Sequence, residues 1–316
     1  MFPDSCAGTT AGRSNSVNTV GLPRDSLVGA PIRTRLIQPT RNGLHLRGHL
    51  RPLGLRSVRI NVVSDVHGAD DALKLAADGA DLFVCLGDLI LFLDYDDPSQ
   101  GIYTELFGED HTRAYIEART AGRFEDAREL SAAAWARRGV LDPSERWHTL
   151  SAQVRRQYER LFAAMPSPAL MTFGNVDVPD LWPEYVRPGH RIIDGSVVNE
   201  GGVSMGFIGG GMVSPMRTPY ELTAEEYASK VEGLGPVDVL FTHIPPSVPE
   251  LTYDTVARRF EFGNPTLLEY IRDVQPAFHL FGHVHQPLRS RMRIGRTECI
   301  NVGHFHATGR PFVLDV

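Results

Sequence analysis

Two histidines one residue apart, in "FGHVH" (281–285), close an apolar run that reads as a β-strand. Alternate residues of extended backbone point to the same side, so His283 and His285 can share one space. Paired neutral imidazoles suit a Zn, Fe or Mn type of ion. Four other apolar runs of strand length end in similar chemistry. "VRINVVSD" (58–65) leads into Asp65-Val66-His67, "DLFVCLGD" (81–88) ends in Gly87-Asp88, "ALMTFGN" (169–175) leads into Val176-Asp177, and "VDVLFTH" (237–243) ends in Thr242-His243. Each fragment alone reads as a turn or as a solvated polar residue. Their recurrence at five strand ends is the signal, because open α/β sheets bind ligands beyond the carboxyl ends of their strands. The glycines beside them let the backbone turn sharply and approach a ligand closely.

The elements that must position these residues follow from periodicity. The run 58–65, apolar residues at helical spacing over 69–80 and the run 81–88 read as a βαβ unit with a parallel pair. Further strands are expected at 202–210 and 297–303, and helices at 222–233 and 264–274, the latter opened by Asn264 as cap and Pro265 in its first turn. The segment from about 92 to 165 is mixed in charge, with helical runs at 111–120, 123–138 and 144–164. It reads as a helical insertion between two core strands, either a cap over a site or helices packed on one sheet face. The first 57 residues are rich in Ser, Thr, Gly and Arg and lack periodicity, and are expected to form a poorly ordered tail.

Composition bounds the function. A chain of 316 residues with net charge −6 carries no global basic field, which argues against a nucleic-acid partner. Arg supplies nearly all positive charge, Lys74 and Lys230 being the only lysines. Cys6, Cys85 and Cys299 are far apart and odd in number, so no disulfide framework is expected and a cytoplasmic setting follows. No apolar stretch approaches a membrane span.

The order D-x-H, G-D, G-N, H, G-H-x-H resembles the calcineurin-like metallophosphoesterase superfamily over about 58–303. The resemblance implies an α/β (α+β) fold, with a two-layered β-sandwich core flanked by helices and a dinuclear metal centre at the strand ends. One ion would be held by Asp65, His67, Asp88 and His285, the other by Asp88, Asn175, His243 and His283, with Asp88 as the bridge. An anionic bridge offsets the repulsion between two cations, and this mixture of carboxylate, carboxamide and imidazole suits two divalent ions of the Mn, Fe or Zn type, Mn foremost. Such a pair lowers the pKa of a bridging water, and the resulting hydroxide is the expected nucleophile on a small phosphoester substrate.

The chain departs from the family pattern at Val176, where many members carry a histidine that serves the leaving oxygen. Asp88 and Asn175 then remain as catalytic residues, and His304 of "NVGHFHATG" (301–309) is the candidate for the missing proton donor. His306 and Arg217, the latter in "GGGMVSPMRTPYE" (209–221), are candidate substrate contacts. A small phosphodiester is the expected substrate; a phosphomonoesterase and a non-catalytic scaffold of the same fold are the alternatives. The sequence leaves the oligomeric state open.

Overall fold

The computed structural model describes residues 58–316; the segment expected to be a poorly ordered tail lies outside the described residues. Strand β1 (Arg59–Val63) is buried on both faces after its first residue. Its one polar interior residue, Asn61, donates through Nδ2 to the carbonyls of Ala76 (3.0 Å) and Asp78 (3.3 Å). That contact shapes the segment after the strand. Helix α1 (Asp70–Leu73) is far shorter than the span 69–80 expected from spacing. Beyond it the amides of Leu75, Ala76 and Asp78 donate to carbonyls three residues back, at 3.1–3.2 Å. Asn61 occupies the Ala76 carbonyl that an α-helix would give to Ala80, and the chain continues as tight turns.

Strand β2 (Leu82–Cys85) runs parallel to β1. Helices α2 (Ile102–Phe107), α3 (Glu109–Thr120), α4 (Phe124–Arg137) and α5 (Pro143–Ala164) precede β3 (Ala169–Met171), which is parallel to β2. These helices divide in two. On α5, Val154, Tyr158, Leu161 and Phe162 lie at helical spacing and pack on Phe83, Cys85 and Met171 of the sheet. Its start is fixed by Asp142, whose carboxylate accepts from the amides of Ser144 and Glu145. Helices α3 and α4 instead pack on one another, in a small cluster with Tyr103, Tyr115, Ala118 and Ala127. The 92–165 segment is therefore part ordinary sheet helix and part helical pair, joined to the sheet core through Trp135 of α4.

After a 3-10 turn at Pro179–Glu184, β4 (His190–Ile192) extends the first sheet. Strands β5 (Ser196–Glu200) and β6 (Val203–Ile208) form an antiparallel pair that opens the second. The short parallel strands β7 (Gly211–Met212) and β8 (Glu221–Leu222) bracket the loop 213–220. There follow α6 (Ala224–Gly233), β9 (Val239–Thr242), α7 (Pro249–Thr252), the hairpin β10 (Tyr253–Asp254) and β11 (Arg259–Phe260), and α8 (Pro265–Val274). The expected cap of α8 is present, with Asn264 Oδ1 accepting from the Leu267 amide at 3.0 Å. Strands β12 (Phe278–Phe281), β13 (Arg291–Ile294) and β14 (Thr297–Asn301), helix α9 (Phe305–Thr308) and β15 (Phe312–Asp315) complete the chain.

The first sheet has the order β15-β1-β2-β3-β4 and the second β13-β14-β12-β9-β6-β5. Between them Ile60, Val62, Val84 and Leu170 meet Phe207, Phe241, Leu280 and Ile300. Full burial of such side chains stabilises by about 1.5–3 kcal/mol each. Helix α5 covers the outer face of the first sheet, while α6 and α8 cover the second through Tyr227, Val231, Leu267 and Ile271. The fold is thus α/β (α+β), two sheets face to face between helical layers. Among the described residues no helix is long and apolar enough to cross a membrane.

Candidate metal centre

The carboxyl ends of the parallel strands from both sheets converge. The amides of Asp65, His67 and Gly68 donate to the carbonyls of Gly87, Asp88 and Leu89 at 2.9–3.1 Å, so the turns after β1 and β2 run side by side. Across the sandwich, Gly210 donates to the Phe173 carbonyl at 2.8 Å, and the His283 amide donates to Asp65 Oδ2 at 2.9 Å. Glycine is required where these turns touch. A Cβ on Gly174 would lie 2.0 Å from Asp88 Oδ1, and one on Gly282 would lie 2.3 Å from Asp65 Oδ2. Four of the turn residues themselves hold left-handed backbone: Asp65 (φ 57°), His67 (40°), Asp88 (54°) and His283 (67°). For a residue with a Cβ this costs about 1–3 kcal/mol. Such strain gathered at one place marks a site whose side-chain directions matter more than local stability.

The directions are convergent. Asp88 Oδ2 lies 3.3 Å from His243 Nε2 and 3.9 Å from His67 Nε2. Asp65 Oδ1 lies 3.5 Å from His285 Nε2 and 4.0 Å from His67 Nε2. Asn175 Oδ1 is 3.0 Å from His243 Nε2, and the rings of His243 and His283 are 5.2 Å apart. All seven residues expected to bind metal are therefore brought together. Two of the imidazoles are oriented by the protein: His67 Nδ1 lies 3.0 Å from the Ile90 carbonyl and His243 Nδ1 3.0 Å from that of Leu86. A carbonyl only accepts, so each Nδ1 carries the proton and each Nε2 faces the cluster.

Charge is arranged accordingly. Burial opposes ionisation of Asp65, yet the imidazoles of His285, His243 and His67 hold it well below the usual carboxylate range. Asp88 is likewise lowered by His243 and His67 against its burial. Burial would also discharge His243, but Asp88 and Asp65 outweigh it and raise this imidazole to about 9. His67 and His283 are pushed down by burial and stay neutral at pH 7.

The donor set fits divalent cations. Asp65 is 1% exposed, and its Oδ1 has no hydrogen-bond partner among the described residues although imidazoles surround it. An orphaned carboxylate oxygen of this kind is costly unless something else occupies its lone pairs. Asp65, His67 and Asp88 form one group, and Asp88, His243 and His283 another, each with donor atoms within 4.8 Å. Asp88 belongs to both.

The remaining expected residues separate. His304 stacks on His285 with centroids 3.8 Å apart and joins His67 and His285 in a third donor group. Its Nε2 is buried without a hydrogen-bond partner among the described residues, and burial with nearby His285 pushes the imidazole down to about 3. A ring so neutral is a ligand or an acceptor before it is an acid. His306 stands one ring further out, 5.6 Å from His304, with Nε2 3.7 Å from Asp94 Oδ2. Arg217 lies outside the donor cluster, exposed in the loop 213–220, on a cleft that it shares with Val176 and Arg119.

Asp177 has a role that sequence reading missed. Its carboxylate accepts from the amides of Gly174 (2.8 Å), Asp88 (2.8 Å) and Leu89 (3.0 Å), and from the Tyr158 hydroxyl (3.4 Å). It joins the turn after β3 to the turn after β2. Burial and the neighbouring Asp88 raise it to about 7. Val176 contributes through its backbone, its amide donating to Asp88 Oδ1 at 2.9 Å. Asp94 and Arg119 also went unread, because an acidic loop and one arginine among many look like solvated surface.

No protein-family model matches this chain, and no curated protein matches it. Solved structures resemble it. One crystal structure aligns over 82% of this chain and 95% of its own, with a TM-score of 0.53 at 15% identity. At that identity the likeness establishes the fold alone. TT1561 of Thermus thermophilus aligns over 82% of this chain and 99% of its own, with a TM-score of 0.44 at 13% identity, too weak to support an argument.

Proposed function

We propose that the chain is a metal-dependent phosphoric ester hydrolase acting on a small phosphodiester, in the manner of the calcineurin-like metallophosphoesterases. The observation that carries this reading is Asp88, a buried carboxylate common to two donor groups. Asp65, His67, Asp88 and His285 would hold one divalent cation, and Asp88, Asn175, His243 and His283 the other, both of the Mn, Fe or Zn type that this mixture of carboxylate, carboxamide and imidazole suits. Two such cations supply Lewis acidity for both oxygens of an in-line displacement and for activation of water at neutral pH.

The chain's own contribution is preorganisation. Asp177 and the left-handed turns fix Asp88, the carbonyls of Ile90 and Leu86 orient His67 and His243, and the Thr218 hydroxyl accepts from Asn175 Nδ2 at 3.2 Å, leaving Asn175 Oδ1 toward His243. At position 176 the chain offers an amide already engaged by Asp88 and an apolar side chain, with no proton donor for the departing oxygen. Diesters with good leaving groups need that donor least, since a general acid typically contributes about 10²–10⁴-fold. The buried thiols Cys85 and Cys299 suit a reducing, cytoplasmic setting.

The test is hydrolysis of bis-p-nitrophenyl phosphate and of p-nitrophenyl phosphate by chain stripped of metal and reloaded with Mn. Faster turnover of the diester is expected. Faster turnover of the monoester would overturn the diester assignment, and hydrolysis of neither would overturn the enzyme reading.

A pH dependence follows from His243. Its proton must leave Nε2 before that atom can ligate, and in the metal-free chain it leaves only near pH 9. Apparent affinity for Mn is therefore expected to rise at least about tenfold per pH unit up to about 9, more steeply where His285, also raised by Asp65, still holds its proton, and then level, with proton release visible by calorimetry in buffers of different ionisation enthalpy. The linkage to stability has the opposite sign. His243 is raised above the usual unfolded value of about 6.5, so its imidazolium stabilises the metal-free fold fully below about 6.5, and that contribution is lost as pH rises through about 9. Affinity independent of pH over this range would contradict the assignment of His243.

A further inference from the structure

Beside the centre a cleft opens where α3 faces the loop 213–220. Two of its wall residues are bonded directly to expected ligands: the Val176 amide to Asp88, and the Thr218 hydroxyl to Asn175. Phe92 and Tyr115 line it from the helical segment. Arg119 of α3 also lines it and is only 9% exposed. The other arginines on α3 and α4 with acidic neighbours pair with them at the surface: Arg113 with Glu109 and Arg128 with Glu125. Arg119 has no carboxylate partner among the described residues. Its guanidinium donates to the Tyr115 hydroxyl (3.5 Å) and to the Met216 sulfur, and lies over the rings of Tyr115 (5.5 Å) and Tyr95 (5.8 Å).

Ring faces and a thioether orient a cation without neutralising it. A buried charge of this kind is costly until a counter-charge meets it, and a guanidinium fork matches a planar or tetrahedral oxyanion bidentately. Arg217 adds a second guanidinium to the same cleft, on backbone of φ 51°. We propose that this cleft is a substrate subsite for a second oxyanion, phosphate or carboxylate, on the molecule whose phosphoester lies at the metal centre. Arg119 clamps the oxyanion, Arg217 supplements it, and Phe92 and Tyr115 contact the skeleton between the two anionic groups. The service to catalysis rests on the phosphoesterase reading; the anion site itself does not.

The binding test uses the metal-free full-length chain, titrated calorimetrically with inorganic diphosphate and, separately, with malonate. Saturable binding of diphosphate would assign a phosphate-type group, and of malonate a carboxylate. In either case Arg119→Met is expected to weaken binding at least about tenfold, the usual scale for a lost charge-assisted pair, and Arg119→Lys by less. Absence of binding by the unaltered chain, or equal binding by Arg119→Met, would overturn the proposal, and the first of these needs no variant to fold.

A second readout uses the Mn-loaded chain and the p-nitrophenyl ester of thymidine 5′-phosphate, with and without a 3′-phosphate. Arg119→Met is expected to erase the preference in kcat/KM for the ester with the extra phosphate, whereas a merely structural arginine would lower both values alike. Arg119-dependent anion binding in a chain that hydrolyses no ester would remove the phosphoesterase reading and leave the anion site standing.

Discussion

Asp88→Asn is expected to lower phosphodiester turnover by roughly 10³-fold, equivalent to about 4 kcal/mol of transition-state stabilisation, while the chain stays folded. The carboxylate has two distinct tasks. Oδ1 accepts the Val176 amide at 2.9 Å, and Oδ2 faces His243 at 3.3 Å and His67 at 3.9 Å. An asparagine offers one oxygen and one NH₂ group. If its oxygen takes the Val176 amide, the NH₂ points at the place where two donor groups overlap. If it turns over, two N–H groups confront each other in a buried turn. Either way the shared anionic ligand is lost, and metal analysis should find at most one Mn per chain. The thermal midpoint of the metal-free chain should also fall, because the buried His243 imidazolium loses the carboxylate that stabilises it. Full activity in this variant would contradict a centre built on a shared carboxylate.

Asp177→Ala is the second large effect, and it acts on stability first. The substitution leaves the buried amides of Gly174, Asp88 and Leu89 without their acceptor. Each unsatisfied buried group costs about 1–3 kcal/mol, so a loss of roughly 3–9 kcal/mol is expected against a total stability of about 5–15 kcal/mol. Urea unfolding of the metal-free chain measures it directly. Asp177→Asn keeps one acceptor oxygen in place and should lose less. The two turns that Asp177 joins carry Asp88 and Asn175, so Mn affinity should fall in parallel with stability. A change under about 1 kcal/mol would mean that water replaces the carboxylate and that Asp177 is no organising group.

The strand ends were legible because they combine two signals that rarely coincide. An apolar run long enough for a buried strand is followed within three residues by Asp, Asn or His, at 58–67, 81–88, 169–175, 237–243 and 277–285, with glycine adjacent in all but 237–243. Long-range contacts were not legible. The truncation of α1 depends on Asn61, a strand residue whose amide reaches carbonyls in the turn beyond the helix. Asp177 looked like a partner for an imidazole that position 176 lacks; its three amide contacts exist only because β2 and β3 lie side by side. Arg119 was hidden by composition, since in so arginine-rich a chain one more on a helix reads as a solvated face. Its burial arises from the packing of α3 on α4 and on the loop 213–220. The division within 92–165 was not read either: a cap and ordinary sheet helices stood as alternatives for the whole segment, although α5 alone buries a stripe from Val154 to Phe162 against the first sheet.

The most direct test of the two-cation account is a titration of Mn into the stripped full-length chain while hydrolysis of bis-p-nitrophenyl phosphate is followed. The donor groups that share Asp88 predict little turnover through the first equivalent and a plateau at the second. A plateau reached at one equivalent would contradict the shared-carboxylate centre, and no turnover at any loading would contradict the hydrolase assignment itself.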